Sequence, residues 1–295
     1  MKIIGTGSYL PDRIVSNEEL EGVDSLWVKE KLGIRSRRVS IKGTSYLGAK
    51  AAEIAIKDAG LFPTDIGMII VATATPEKLN PSTAAIIQDK IGAHTAIAFD
   101  ISAVCSGFVY ALDMAKRYLY DYENILVIGA DTFSHITDWD HRDCVFFGDG
   151  AGAAVITGSN NEYYGRLYAD GRGQHDFETD HGGTFKMDSK AVYNAGVKYL
   201  PKAIKDVLYV ANLNVNAISW FLPHQASVTM LKDIVLIVGV PWDKVKTNMD
   251  GYGNTAGASI PILIDESKKD FNKGDYILLA SIGSGWAYGA IIIEW

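Results

Sequence analysis

Six stretches of the chain are apolar with almost no polar alternation: Met68 to Ala72, Asn124 to Ala130, Gly150 to Ile156, Trp220 to Leu222, Tyr276 to Gly283 and Gly289 to Ile293. A strand with one wet face alternates polar and apolar residues, whereas a strand covered on both faces by helices does not. The pattern therefore predicts buried strands of an α/β protein. Helical spacing appears between them, most clearly in Phe108, Leu112, Ala115 and Leu119 behind Cys105. The opening Met-Lys-Ile-Ile-Gly-Thr-Gly reads as a further strand running into a turn.

The order of these elements repeats. Ala59-Gly-Leu61, Ile66, the run at 68–72 and Thr73-Ala-Thr75 are matched by Ala211-Asn-Leu213, Ile218, the run at 220–222 and Pro223-His-Gln225. Each copy continues into a helix-like stretch closed by glycine, Gly92 in one and Gly239 in the other. Cys105 and Asn254 then open matching amphipathic stretches, and two further strands follow in each copy. The repeat predicts two βαβαβ halves, 1–160 and 161–295, in an α/β/α/β/α layering. The stretch from Asp170 to Asp188, rich in Gly, His, Asp and Thr, is expected to be a loop excursion near their junction.

Composition narrows the function classes. The formal net charge of -7 and the absence of a basic stripe argue against a nucleic-acid partner. Two cysteines, Cys105 and Cys144, make no disulfide framework, and no Cys/His spacing suits zinc. No window approaches the ~20 apolar residues of a membrane helix, and the start lacks the apolar core of a signal peptide. The expectation is a cytoplasmic, soluble protein with no metal site. Two glycine-rich strings, Phe147-Gly-Asp-Gly-Ala-Gly and Ile282-Gly-Ser-Gly-Trp, fit neither the dinucleotide fingerprint nor a phosphate loop. Close strand packing, or a backbone N–H aimed into a site, accounts for them better.

Three side chains carry candidate chemistry. Cys105 follows the run Ala96 to Ser102, read as a buried strand, and precedes the helical stripe. It is thus placed at a helix N-terminus, where free backbone N–H groups are expected to lower the thiol pKa. His224 stands at the C-terminal end of its strand, where ligands and catalytic groups gather in α/β sheets. Asn254 lies among Gly251, Gly253 and Gly257. Each has a plainer reading: a small buried hydrophobe for Cys105, a hydrogen-bonded core histidine for His224, and a helix cap for Asn254. Cys144, in Asp143-Cys-Val-Phe-Phe, reads as part of a strand with no partner.

Taken in order, five strings resemble a known family: Lys2-Ile-Ile-Gly-Thr-Gly-Ser-Tyr-Leu-Pro, Cys105-Ser-Gly-Phe, Phe147-Gly-Asp-Gly-Ala-Gly-Ala, Pro223-His-Gln-Ala and Gly253-Asn-Thr-Ala-Gly-Ala-Ser. They look like β-ketoacyl-acyl-carrier-protein synthase III, a condensing enzyme of thiolase fold, along the whole chain. The resemblance implies that Cys105 accepts an acyl group from acyl-CoA and that a malonyl thioester, on acyl carrier protein or CoA, then loses CO₂ and condenses with it. It implies that His224 and Asn254 hydrogen-bond the enolate, that the backbone N–H groups of Cys105 and Ser284 hold the second oxyanion, and that Trp27 and Arg142 clasp the adenine of CoA. It further implies a homodimer built through the strand Ala96 to Ser102, and no cofactor.

The chain departs from the family pattern in places. Thr229 stands where an arginine commonly docks carrier protein, and the helix behind it runs Lys232-Asp-Ile-Val-Leu-Ile-Val238 where lysines are usual. Asn80 and Ile282 replace aromatic residues near the acyl pocket, and the 170–188 loop is shorter. Acyl preference is therefore open. The alternative reading keeps acyl transfer to Cys105 but passes the group to an oxygen, nitrogen or sulfur acceptor without condensation.

Overall fold

The computed structural model describes residues 1–295. Its first part carries β1 (Lys2–Tyr9), β2 (Arg13–Ser16), α1 (Ser25–Trp27), β3 (Ser36–Val39), α2 (Thr44–Asp58), β4 (Met68–Ala72), α3 (Thr83–Ile91), β5 (Ile97–Ile101), α4 (Gly107–Tyr118), β6 (Asn124–Asp131) and β7 (Gly150–Thr157). Then come β8 (Tyr163–Ala169), β9 (Phe177–Glu178), β10 (Lys186–Met187), α5 (Ser189–Ala211), β11 (Ile218–Pro223), α6 (Val228–Val238), α7 (Met249–Tyr252), α8 (Ser259–Ser267), β12 (Tyr276–Gly283) and β13 (Ala287–Glu294).

Two sheets organise these elements, with strand orders β1-β7-β6-β4-β5 and β11-β12-β13-β8. β4 runs parallel to β5 and β6, and β7 runs antiparallel to β6 and β1. The second sheet repeats the scheme: β11 and β12 are parallel, and β13 is antiparallel to β12 and β8. The chain leaves the first sheet at Thr157 and enters the second at Tyr163.

The unbroken apolar runs follow from what covers the strands. Ile69 and Val71 of β4 pack with Leu47 and Ile87 from α2 and α3, while Met68, Ile70 and Ala72 pack with Phe108 and Leu112 of α4. On β12, Ile277 and Leu279 face that same central core, to which α8 adds Leu263, and Leu278 packs with Ile204 of α5 and Leu231 of α6. Both faces of each sheet are dry, so neither face selects polar residues. The layers are α2/α3, sheet, α4/α8, sheet, α5/α6. Gly92 and Gly239 end α3 and α6 at φ values of +76° and +83°, where glycine alone is unstrained. In the string from Phe147, Gly152 packs so tightly that a Cβ there would lie 2.6 Å from the backbone nitrogen of Ile262.

Four expectations need correction. Cys105 and Asn254 are not equivalent positions in the repeat. Val104 and Ala256, at φ values of +45° and +48°, each open a single 3-10 turn that leads into α4 or α8. That shared strained step pairs Cys105 with Gly257, and Asn254 with Ser102. Counting from the first residue of each motif misses this, because Asn254 belongs to the segment before the turn. Second, β5 is not buried: it is the edge of its sheet, with Ile97 47% exposed and its other residues half-buried. Third, Cys144 lies in a 3-10 turn, Arg142–Val145, not in a strand. Fourth, the Asp170 to Asp188 excursion contains the small β9–β10 hairpin, which sends Phe177 and Phe185 inward.

Candidate active site

Cys105 sits in the 3-10 turn just before α4, against the end of β12. A Cβ on Gly283 would lie 2.5 Å from the Ala103 carbonyl oxygen and 3.0 Å from the Cys105 nitrogen, so glycine is what lets β12 approach the reactive turn. The thiol is only partly covered and borders a cavity of about 310 Å³. Burial and the nearby Asp131 carboxylate push its pKa up, and its backbone hydrogen bond offsets only part of that. This corrects the expectation of a lowered pKa: desolvation outweighs the helix terminus.

His224 follows β11, and its N–H donates to the Ala280 carbonyl at 2.8 Å. The ring is buried, with Nδ1 3.0 Å from Ser259 Oγ on the first turn of α8. Burial lowers its pKa to about 4, so the imidazole is neutral at neutral pH. Asn254 is held on three sides: its N–H donates to the Phe146 carbonyl at 2.9 Å, its carbonyl accepts from the Gly148 N–H at 3.0 Å, and Oδ1 accepts from the Ala256 N–H at 2.9 Å. A backbone N–H can only donate, so Oδ1 must face it, and the amide NH₂ is left for the cavity.

Asp131 closes β6 beneath these groups and is fully buried. Its Oδ1 accepts from the Ala74 N–H at 2.8 Å and from the hydroxyls of Thr75 and Thr73 at 3.1 and 3.2 Å, and Oδ2 accepts from the Gly257 N–H at 2.9 Å. Even with four donors, burial pushes this carboxyl up to about 7. Sequence reasoning missed Asp131 and Ser259. The signal for Asp131 was an acid directly after the apolar run Ile125 to Ala130.

The same cavity is lined by Cys105, His224, Asn254, Ser284, Trp27 and Arg142. Ser284 Oγ donates to the Phe177 carbonyl, which fixes the turn after β12. Trp27 ends the short α1, whose N-cap Asp24 accepts from the Leu26 and Trp27 N–H groups. Trp27 is 39% exposed, and the Arg142 side chain is 76% exposed beside Asp143. Thr229 and Ile282 line the cavity too, and Thr229 Oγ1 donates to the Lys31 carbonyl at 2.7 Å. All six residues singled out from the sequence therefore meet at one site.

Residues 99–171 match the model of 3-oxoacyl-(acyl-carrier-protein) synthase III, and residues 208–295 match the model of its C-terminal region. A β-ketoacyl-(acyl-carrier-protein) synthase III of Aquifex aeolicus is 38% identical over all of this chain and 99% of its own length. One from Neisseria gonorrhoeae is 40% identical, with 100% of this chain and 99% of the relative covered. The chain belongs to the 3-oxoacyl-(acyl-carrier-protein) synthase III family. A crystal structure of the family from Aquifex aeolicus superposes at a TM-score of 0.97 with 37% identity, covering 100% of this chain and 99% of the other. A priming β-ketosynthase from a polyketide biosynthetic pathway superposes at 0.93 with 29% identity, covering 99% and 96%. The thiolase-type layering of the synthase III fold is thus present throughout.

Proposed function

We propose that this synthase III performs a decarboxylative condensation in which Cys105 carries the acyl group and His224 and Asn254 stabilise the enolate. Acyl-CoA enters past Trp27 and Arg142, whose flat indole and guanidinium suit stacking on adenine. The Cys105 sulfur attacks the thioester carbonyl, a new S–C bond forms, and CoA leaves with the thiol proton. The backbone N–H groups of Cys105 and Ser284 hold the oxyanion in this step.

A malonyl thioester, carried by acyl carrier protein or CoA, then loses CO₂. The electron pair of the broken C–C bond passes into the enolate, whose oxygen accepts from His224 Nε2–H and the Asn254 amide. A neutral imidazole suits this donor role, and Ser259 Oγ beside Nδ1 can set the tautomer. The enolate carbon attacks the acyl-Cys105 carbonyl, the C–C bond forms, and the sulfur leaves and regains a proton. None of these steps calls for a metal or organic cofactor. The protein would work in the cytoplasm as a homodimer, pairing the exposed edge strand β5 with that of a second copy.

The single observation that carries this reading is the convergence of the Asn254 amide and the neutral His224 on the cavity beside Cys105. Acyl transfer to an outside acceptor would leave that donor pair without a purpose. The test supplies acetyl-CoA and carboxyl-labelled malonyl thioester. Condensation predicts one CO₂ released per β-ketoacyl product in the wild type, and no β-ketoacyl product from Cys105→Ala. Acyl transfer to an acceptor with no CO₂ release would overturn it.

A further inference from the structure

Arg37, on β3, is the only arginine or lysine among the buried residues, and it lies wholly inside the protein. Burial lowers its pKa only to about 10, so it carries its charge at neutral pH. Nη1 donates to the Val15 carbonyl at 3.3 Å, and Nη2 donates to Asn17 Oδ1 at 2.7 Å and to the Val145 carbonyl at 3.0 Å. None of these acceptors is a carboxylate. A buried cation held by neutral acceptors alone is a costly way to fill a core. The guanidinium therefore stands out from the residues around it by what it grips.

Val145 opens the segment that cradles Asn254. Phe146 and Gly148 hold the Asn254 backbone from both sides, and Phe147 pairs with Asn254 as a parallel bridge. Arg37 packs against this cradle: a Cβ on Gly148 would lie 3.1 Å from the Arg37 Cβ, and one on Gly253 would lie 3.3 Å from it. The neighbouring backbone is stitched to the same two segments. The Arg38 carbonyl accepts from the Asp149 N–H at 2.8 Å, and the Arg35 N–H donates to the Asp250 carbonyl at 2.9 Å. The fork of Arg37 thus fixes the cradle to the β2–β3 hairpin. Cys105 and His224 have other anchors. Beside the reactive turn, Ser106 Oγ donates to the Ala287 carbonyl at 2.7 Å, and the His224 N–H is held by Ala280 of β12.

We propose that Arg37 is a positioning residue for the Asn254 amide, acting through Val145 to Gly148, and that it governs decarboxylation and not acyl loading. The inference rests on the reading of Asn254 as an enolate donor. A hydrogen bond weakens steeply off its line, and a displacement of about 1 Å caused away from the chemistry can cost ~100-fold in rate. Lysine in place of Arg37 keeps the charge but meets only part of the acceptor set, because an ammonium is a point and a guanidinium a fixed fork.

The test compares the wild type, Arg37→Lys, Asn254→Ala and the double variant in two assays. One follows acylation of Cys105 by acetyl-CoA by intact mass; the other follows CO₂ release from carboxyl-labelled malonyl thioester by the acylated protein. Arg37→Lys is expected to load Cys105 within about 2-fold of the wild type and to release CO₂ roughly 10-fold more slowly. Adding Arg37→Lys to Asn254→Ala should change CO₂ release by less than about 2-fold, since both changes remove the same donor. A substitution that only unsettled the fold would lower both assays together and multiply with Asn254→Ala. Equal losses in the two assays, CO₂ release by Arg37→Lys at the wild-type rate, or multiplied losses in the double variant would each overturn the proposal. Should Arg37→Lys fail to fold by circular dichroism, Asn17→Ala, which removes an acceptor of Nη2, is judged against the same limits. CO₂ release by Asn254→Ala at the wild-type rate would instead remove the enolate-donor reading, and this inference with it.

Discussion

The Gly257 N–H donates to Asp131 Oδ2 at 2.9 Å, and Gly257 is the position that the repeat pairs with Cys105. One carboxylate thus ties the turn of the second half to the end of β6 in the first, while its charge helps hold the Cys105 thiol protonated. Asp131→Asn removes that charge and keeps much of the shape. Alkylation of Cys105 by iodoacetamide at pH 8 should then speed up by about 3-fold or more, since the thiolate is the reactive form. Asp131→Ala should instead destabilise the protein by roughly 3 kcal/mol or more, because several buried donors lose their acceptor. Mass-resolved alkylation and urea unfolding check the two outcomes, and alkylation unchanged in Asp131→Asn would remove the electrostatic link.

The His224 imidazole predicts a pH dependence with a definite sign. Its pKa falls from 6.5 to about 4 on burial. Between those values the unfolded chain binds a proton that the folded chain does not, so folding stability drops as pH falls through this window. Above pH 6.5 the contribution is complete. Wild type should lose up to roughly 3 kcal/mol more than His224→Asn between pH 7 and pH 4, at about 1.4 kcal/mol per pKa unit. Urea unfolding of both proteins at several pH values reads the difference directly. Parallel curves would show that this histidine is not buried as a neutral ring.

Much of this was legible in the chain because the two sheets are dry on both faces. Unbroken apolar runs marked β4, β6, β7, β12 and β13, and their repeated order gave the layering. Cys105, His224 and Asn254 were legible because each stands in a distinctive string. Less visible were relationships made only in space. The pairing of Cys105 with Gly257 depends on a backbone angle at Val104 and Ala256, not on residue type. The edge position of β5 depends on which strand stops the sheet, and an apolar edge reads like an apolar interior. Phe177 and Phe185 were hidden in a polar, glycine-rich excursion whose only sign of burial was the aromatic rings themselves. The thiol pKa went the other way because sequence shows a helix terminus but not the desolvation that outweighs it.

Asn254 separates the two half-reactions. Because Oδ1 accepts from the Ala256 N–H, only the NH₂ group is free to meet an enolate oxygen. Asn254→Ala should load Cys105 from acetyl-CoA at close to the normal rate while slowing CO₂ release by about 10²- to 10³-fold, the usual loss for one oxyanion donor. Asn254→Asp should be slower still, since its second oxygen would repel the developing charge. Intact-mass acylation paired with labelled CO₂ release distinguishes the steps. Equal losses in both would place Asn254 in acyl loading and not in enolate stabilisation.

The edge strand offers a test of assembly. β5 pairs with β4 on one side only, and Ile97 is 47% exposed in the single chain. An open apolar edge is a liability unless another strand covers it. Two copies meeting there would bury Ile97 and extend each five-stranded sheet across the interface. A charge at this position would lose hydration on burial with no partner in a self-complementary contact, where it also meets its own copy. Ile97→Glu should therefore shift the protein from dimer to monomer in sedimentation velocity at micromolar concentration, with its secondary structure by circular dichroism retained. Activity should fall with the dimer, because β5 leads through Ser102 into the turn that holds Cys105. A variant that sediments as the wild type does would show that the dimer, if formed, uses another face.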